Sequence, residues 1–311
     1  MQAATSANRW SHRLGELIHC TCATAKDRES DNRMSNLPSG SEILPAQAAR
    51  LLDDLTSIVV GACAEIRAVS RGTVLQRTKA DQSPVTAADE ASEAVILEGV
   101  ARLLPDVSVV SEESVDASQM RFDGSFLMVD PLDGTREFLA GRDEFTVNLA
   151  IITHGVPIAG LIAAPKRGQL WRGIVGTRAE RLRLLKDRAD QPQMIRTRRW
   201  PRQGAVAAVS RSHFDAATDA FLTSLGSITR STSGSAIKFC QIAEGTADVY
   251  PRLATTCEWD VAAGQALVVA AGGAVNSPQG LPLAYGRATE NFRVSAFIAW
   301  GDVDKATSIK F

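Results

Sequence analysis

Hydrophobic residues recur with two different periods along this chain, and the changes of period divide it. From Pro45 the apolar positions Ala48, Leu51, Leu52, Leu55, Ile58, Val59, Ala62 and Ile66 return every three or four residues, which predicts an amphipathic helix with proline in its first turn. A second helix is predicted from about Val85 to Leu104, stopped by Pro105, with Thr86 placed as an N-cap and Asp89 as its acid three residues on. The pattern then shortens to β-rich runs, Val107 to Ser111, Phe126 to Val129, Phe145 to Ile152, Pro157 to Ala163 and Leu170 to Val175, parted by Gly, Pro and Asp turns. Closely spaced strands after two helices predict an α+β unit with an antiparallel sheet. From Ala205 strands and helices alternate: Ala205 to Val209 and Ala247 to Tyr250 read as strands, and Ala216 to Leu225, Ser235 to Glu244 and Glu258 to Ala271 as helices. The expectation is an α+β unit over 45–200 followed by an α/β unit over 201–311.

Two segments fall outside this pattern. Residues 1–44 are mostly polar with no sustained apolar period and predict a poorly ordered extension. It contains His12, His19, Cys20 and Cys22, residue types that bind zinc but without the spacing of a structural site, and Met34 as a candidate alternative start. Arg178 to Arg202 carries nine Lys or Arg against three acids, and only Trp200 among aromatics, which reads as a solvated hairpin or connector rather than a nucleic-acid surface.

Composition narrows the function classes. With 45% hydrophobic and 22% charged residues over 311 positions, the chain is an ordinary globular protein, long enough for about two cores. The 34 basic and 35 acidic residues leave a formal charge of −1, so there is no overall basic field for nucleic acid or membrane, and a highly anionic ligand needs local help. No apolar run approaches a membrane span; Ala262 to Ala271 is interrupted by Gly264 and Gln265. Five scattered cysteines and no secretory leader predict a cytoplasmic protein, with peripheral attachment to the inner membrane left open. Neither G-x-x-x-x-G-K-[ST] nor G-x-G-x-x-G is present.

The most informative string is Asp130-Pro131-Leu132-Asp133-Gly134-Thr135, directly after the strand Phe126 to Val129. Two carboxylates three apart at a strand end, with Pro131 fixing its own φ and Gly134 permitting a sharp turn, can curl around a cation with the Leu132 carbonyl. Glu112 ends another strand, and Asp260 opens a helix containing Ala263-Gly264. Each acid alone also suits a turn or an N-cap. Taken together, if they converge, each close pair repels by about 4 kcal/mol at an effective dielectric near 20, so cations must join them; all-oxygen ligation favours Mg²⁺ or Mn²⁺ over zinc.

Asp130-Pro131-Leu132-Asp133-Gly134-Thr135 with Trp259-Asp260-x-x-Ala263-Gly264 resembles the paired signatures of the inositol monophosphatase superfamily of Mg²⁺-dependent, lithium-sensitive phosphatases. The string Lys79 to Asp89, Glu144-Phe145-Thr146-Val147-Asn148, Ser210-Arg211-Ser212-His213, Ser233-Gly234-Ser235-x-x-Lys238-Phe239-Cys240 and Tyr250-Pro251-Arg252 resemble its bacterial 3′(2′),5′-bisphosphate nucleotidase branch, the CysQ type. The match spans about residues 46 to 297. It implies the layered α/β sandwich of the sugar phosphatases with the site in a cleft.

The resemblance further implies two or three Mg²⁺ per site, Mn²⁺ being an alternative. Glu112, Asp130 and the Leu132 carbonyl would hold one ion, and Asp130, Asp133 and Asp260 a second. Asp89 would accept from Thr135, which orients the attacking water, and Gly134 and Thr135 would cradle the transferred phosphate. Glu112, Leu132, Asp133 and Asp260 would also border the substrate. Ser210, His213, Gly234 and Lys238 would line the nucleotide end, with Lys238 facing the phosphate that is not cleaved, and Arg252 as a further anion contact. The implied reaction is hydrolysis of the 3′-phosphate of adenosine 3′,5′-bisphosphate to AMP, with its sulfated precursor as a second substrate, in the recycling of a by-product of sulfate assimilation. A homodimer is compatible with the resemblance. The rivals are an inositol monophosphatase or fructose-1,6-bisphosphatase, which would share the metal site, and a catalytically inactive anion-binding regulatory protein.

Overall fold

The computed structural model describes residues 42–70, 76–78, 84–117, 122, 124–212 and 214–308. The early His and Cys grouping, Met34, residues 79–83 of the Lys79 string and His213 lie outside the described residues.

The first helix, α1 (Pro45–Val69), starts with Pro45 in its first turn, and the Leu44 amide is satisfied by Gln47 Oε1 at 2.8 Å. Two short strands, β1 (Gln76–Thr78) and β2 (Pro84–Thr86), pair antiparallel and lead into α2 (Ala87–Leu103). Thr86 caps α2: its hydroxyl accepts from Ala88 N at 3.1 Å, while Asp89 Oδ2 accepts from Thr86 N at 2.8 Å.

The central sheet follows. Its strands are β3 (Ser108–Ser111), β4 (Ser125–Asp133), β5 (Thr146–Thr153), β6 (Val156–Ala164), β7 (Gln169–Ile174), β8 (Arg178–Leu184) and β9 (Ala189–Met194), in that spatial order. Pairing is antiparallel except between β3 and β4, which run parallel. The connection over 112–124 is long enough for the crossover a parallel pair requires. The basic segment becomes the β8–β9 hairpin and a connector, and its charges are partly paired, Arg181 with Glu244 at 3.2 Å and Arg198 with Asp248 at 2.6 Å. Its Leu182 and Leu184 are buried, so one side of the hairpin belongs to the core.

A short helix, α3 (Thr135–Leu139), links β4 to β5. After β9 come β10 (Ala205–Ser210), α4 (Ala216–Ser224), β11 (Ile228–Ser233), α5 (Ile237–Ala243), β12 (Val249–Arg252) and β13 (Thr256–Cys257). A 3-10 turn, Glu258–Asp260, then leads to α6 (Ala262–Ala270). The chain continues through β14 (Ala274–Asn276), β15 (Arg293–Val294), β16 (Phe297–Trp300) and α7 (Val303–Ser308). The second sheet has the order β11-β10-β12-β16-β14, parallel for its first three strands and antiparallel for the last two pairs. β11, β14 and β16 carry no clear apolar period; β11 is a polar edge strand, and the other two are three and four residues long.

Strand alternation sorts the cores. Leu127, Val129, Leu149, Ile151, Leu161 and Ala163 face α1 and α2. Phe126, Met128, Ala150, Ile152 and Ile162 face the other way, onto Phe239 of α5 and Leu267 of α6, which also meet Tyr250 and Phe297 of the second sheet. The outer side of that sheet packs Val209 and Trp300 against Phe221 of α4 and Ala306 of α7. The result is a five-layer α/β/α/β/α sandwich.

Candidate functional site

Strand ends from both sheets converge on one cleft of about 340 Å³. β4 delivers the key string because its ladder breaks there. Pro131 has no N–H to donate, and pairing moves from Asp130–Asn148 to Asp133–Thr146 across a one-residue bulge. Leu132 N turns back onto Asp130 Oδ1 at 3.1 Å. Gly134, at φ 92°, then reverses the chain into α3, a backbone conformation in which a side chain would be strained.

One carboxylate oxygen each from Glu112, Asp130 and Asp260 lie within 4.8 Å of one another. Glu112 is set by its own amide, which donates to Val129 O at 3.2 Å. Asp260 is aimed by the 3-10 turn: its Oδ2 accepts from Thr256 Oγ1 and from Cys257 N, the latter at 3.1 Å. Burial, reinforced by repulsion from Glu112, Asp133, Asp260 and Asp89, pushes the Asp130 carboxyl well above the usual range. Asp133 lines the same cleft but stands outside that trio; its Oδ2 is within 3.3 Å of Asn148 Nδ2 and 3.5 Å of Thr146 Oγ1. Burial and Asp260 raise it to about 6, against the pull of Lys238. Hard oxygen donors pressed together against their own repulsion fit a divalent cation such as Mg²⁺ or Mn²⁺.

Asp89, fully buried, serves two partners at once. Its Oδ2 takes the Thr86 amide and hydroxyl, and its Oδ1 takes Thr135 Oγ1 at 3.1 Å. The Leu132 carbonyl lies 3.3 Å from the same hydroxyl. A hydroxyl has a single proton, and the shorter, charge-assisted contact is to Asp89.

The far wall of the cleft carries Ser210, Gly234 and Lys238. Lys238 is 2% exposed, with Nζ donating to the carbonyls of Ser235 and Ser233 at 2.5 and 3.3 Å and lying 5.2 Å from the Tyr250 ring centre. Burial pulls its ammonium down to about 8. Arg252 joins it, with an Nε that is buried and has no hydrogen-bond partner. Asp133 acts on both cations, and Asp260 on Arg252, as opposing charges across the cleft.

Thr146, Asn148 and Ser235 stand in the strings that resemble the CysQ branch but carried no assigned role; they surround Asp133 and one another, the Thr146 and Ser235 hydroxyls being 2.5 Å apart. The period-two spacing of Thr146 and Asn148 was visible, but not the register that sets both opposite Asp130 and Asp133. Glu144 and Arg211 stood in quoted strings without an assigned role, and they pair through two hydrogen bonds.

The model of the inositol monophosphatase family matches residues 48–299. The 3′(2′),5′-bisphosphate nucleotidase CysQ of Escherichia coli K12 is 41% identical over 217 residues, covering 67% of this chain and 82% of that one. Among solved structures, CysQ from Bacteroides thetaiotaomicron, a bacterial member of the inositol monophosphatase family, superposes with a TM-score of 0.68 at 31% identity, over 81% of this chain and 97% of that one. An inositol monophosphatase from Anabaena gives 0.63 at 25% identity, over 85% and 95% of the two chains. Enzymes of this family are metal-dependent, and the carboxylate cluster here could hold a metal ion. The chain belongs to the inositol monophosphatase family, among its CysQ-type members.

Proposed function

We propose that the protein is a 3′(2′),5′-bisphosphate nucleotidase that uses Mg²⁺ to hydrolyse the 3′-phosphate of adenosine 3′,5′-bisphosphate to AMP and phosphate. Its sulfated precursor would be a second substrate, and the reaction would serve recycling in sulfate assimilation. The observation that carries this reading is the pairing, in one cleft, of a three-carboxylate cluster with two buried cations, Lys238 and Arg252, that form no ion pair within 4.0 Å with a described carboxylate. A substrate with two separate phosphates answers both halves. An inositol phosphate answers the first only.

Glu112, Asp130 and the Leu132 carbonyl, with Asp133 and Asp260, would hold the metal, the Leu132 carbonyl being left open by a Thr135 proton directed at Asp89. The ion, when bound, supplies the charge that neutralises the phosphate and lowers the pKa of the attacking water. With its proton given to Asp89 Oδ1, Thr135 Oγ1 presents lone pairs toward the cleft, so it accepts from a water and holds that water's oxygen toward phosphorus. The new P–O bond forms as the bond to the 3′-oxygen breaks; the proton lost by the attacking water passes to solvent, and solvent water protonates the departing 3′-oxygen, so AMP leaves with a free 3′-hydroxyl. Gly134 and Thr135 border the transferred phosphate; Lys238 and Arg252 receive the other one; Ser210 and Gly234 flank the nucleoside.

Phosphate release with Mg²⁺ from adenosine 3′,5′-bisphosphate and from inositol 1-phosphate tests this. The nucleotide should be turned over with the higher kcat/KM. The reverse order would assign an inositol phosphatase, and no hydrolysis of either would revive the inactive anion-binding reading. The free thiols of Cys63, Cys240 and Cys257 support a cytoplasmic setting, and sedimentation tests whether the enzyme works as a homodimer.

A further inference from the structure

Arg211 sits between two residues of the cleft wall without being part of it. Ser210 and Ser212 line the cleft, whereas Arg211 turns away from it. It meets Glu144, with Nε 2.6 Å from one carboxylate oxygen and Nη2 2.7 Å from the other. A planar fork on a carboxylate fixes orientation as well as position. Glu144 is 7% exposed, and Arg211 holds its carboxyl below the usual range.

The same carboxylate also accepts the Gly234 amide at 3.1 Å. β10 and β11 are parallel neighbours whose last register pair is Ser210–Ser233, and Arg211 N donates to Ser233 O at 3.1 Å. Glu144 therefore closes on the C-terminal ends of both strands at once. The approach is tight: a Cβ on Gly234 would lie 2.7 Å from Glu144 O and 2.9 Å from Glu137 Cγ. Ser212 Oγ adds a second tie, donating to Glu137 Oε1 at 2.6 Å. Glu137 and Glu144 lie in the stretch from α3 to β5 that continues directly from the Asp130–Thr135 string. Arg167, 3.6 Å from Glu144 and 3.2 Å from Asp143, steadies that stretch from behind.

We propose that Glu144 and Arg211 are positioning residues for substrate selectivity: their pair sets the ends of β10 and β11 at a fixed distance from the Asp130–Thr135 string, and so matches the nucleoside wall to the place where phosphate is cleaved. The inference rests on the nucleotidase reading, because it takes Ser210 and Gly234 as that wall. The side chains of the pair bond each other and the Gly234 amide rather than Asp130, Asp260, Thr135 or Asp89; only the Glu144 backbone carbonyl comes near the phosphate end, beside Gly134. Loosening the pair therefore weakens capture of the nucleoside and leaves bond breaking alone.

The test uses the full chain with Mg²⁺, two substrates, adenosine 3′,5′-bisphosphate and p-nitrophenyl phosphate, which has no nucleoside, and calorimetric binding of AMP. Arg211→Gln should raise KM for the bisphosphate and the AMP dissociation constant about tenfold, with kcat and the p-nitrophenyl phosphate kcat/KM within about twofold. Arg211→Lys, which keeps the charge without the fork, should fall between. Glu144→Gln should act in the same direction, and the double variant should be no worse than the worse single one, as expected of two residues acting as one unit. Equal loss on both substrates, an unmoved KM, or additive effects in folded variants would overturn the inference while leaving the nucleotidase reading intact. If Arg211→Gln does not fold, the Arg211→Lys pattern decides alone. A wild-type enzyme that does not prefer the bisphosphate to p-nitrophenyl phosphate overturns the nucleotidase reading itself, and the inference with it.

Discussion

Asp89 divides its work between its two oxygens, and the division can be measured. Oδ2 belongs to the α2 cap and Oδ1 to Thr135, so capping and catalysis are separable by choosing which partner to remove. Thr135→Ala should lower kcat by about 10²- to 10⁴-fold, the range for a lost acid–base or orienting group, with the melting temperature nearly unchanged. Asp89→Ala should show the same kinetic loss and in addition cost about 1 kcal/mol of stability through the cap. Melting curves beside steady-state rates decide it; a Thr135→Ala enzyme with near-normal kcat would remove the dyad. Lys238 gives a second handle. Burial lowers its pKa to about 8, so it loses its charge as pH rises through that value, and kcat/KM for a doubly phosphorylated substrate should fall there. Lys238→Met should be weaker at pH 7 and should lack that alkaline fall. Spacing made the capping role of Asp89 visible and the family resemblance implied the catalytic one, the two standing as competitors because a string of letters cannot say that a carboxylate has room to serve both. For Lys238, spacing gives no sign of burial, since the packing of Phe239 and Tyr250 around α5 is a tertiary fact.

At the scale of elements, the site depends on how closely α6 approaches the central sheet. A Cβ on Gly160 of β6 would lie 2.3 Å from Ala263 O in α6, so helix backbone rests directly on strand backbone. Asp260 immediately precedes that helix, and its position relative to β4 is set by this contact. Gly160→Ala should push α6 outward, destabilise the fold by about 1–3 kcal/mol as overpacking does, and weaken metal binding more than an exposed substitution of equal stability cost. Denaturant unfolding with Mg²⁺ titration checks both; an unchanged midpoint would show that the layers give way freely. The helices and central strands were legible because apolar period specifies α1 and β4 to β7, while the Thr86 cap and Pro105 bracket α2. α3 and β11 were not: the first is a single turn created by Gly134 and the bulge at Pro131, the second an edge strand with one face in water. Thr146 and Asn148 were hidden for a related reason. Their role follows from register, which two strands fix jointly.

For the whole molecule, the acidic cluster makes stability depend on pH and metal together. In metal-free protein the folded pKa of Asp133 is raised to about 6 and that of Asp130 is raised well above its usual value, chiefly by burial. A carboxyl whose folded pKa exceeds its unfolded one binds its proton more tightly in the folded state, so ionising it costs stability. That cost is absent below the unfolded value near 4, grows as pH rises through about 6, and persists at neutrality. Glu144 and Asp302 work in the opposite sense: their folded pKa values are lowered, by Arg211 and by the Trp200 amide, and their contribution is lost only as pH falls below the ordinary carboxylate range. The melting temperature of metal-free protein should therefore rise as pH is lowered from 7.5 to about 5 and fall again below about 4. Saturating Mg²⁺ should reverse the first slope, because a cation among Glu112, Asp130 and Asp260 favours their charged forms; at 100 times its dissociation constant it adds about 2.7 kcal/mol. Asp130→Asn should abolish the Mg²⁺ shift and reduce the metal-free slope, leaving the part that comes from Asp133 and from Glu258, which burial raises to about 7. A metal-free melting temperature that climbs steadily from pH 5 to 7.5 would mean the carboxylates are relaxed by water rather than held against one another, and the cleft would lose its claim to be built around a cation.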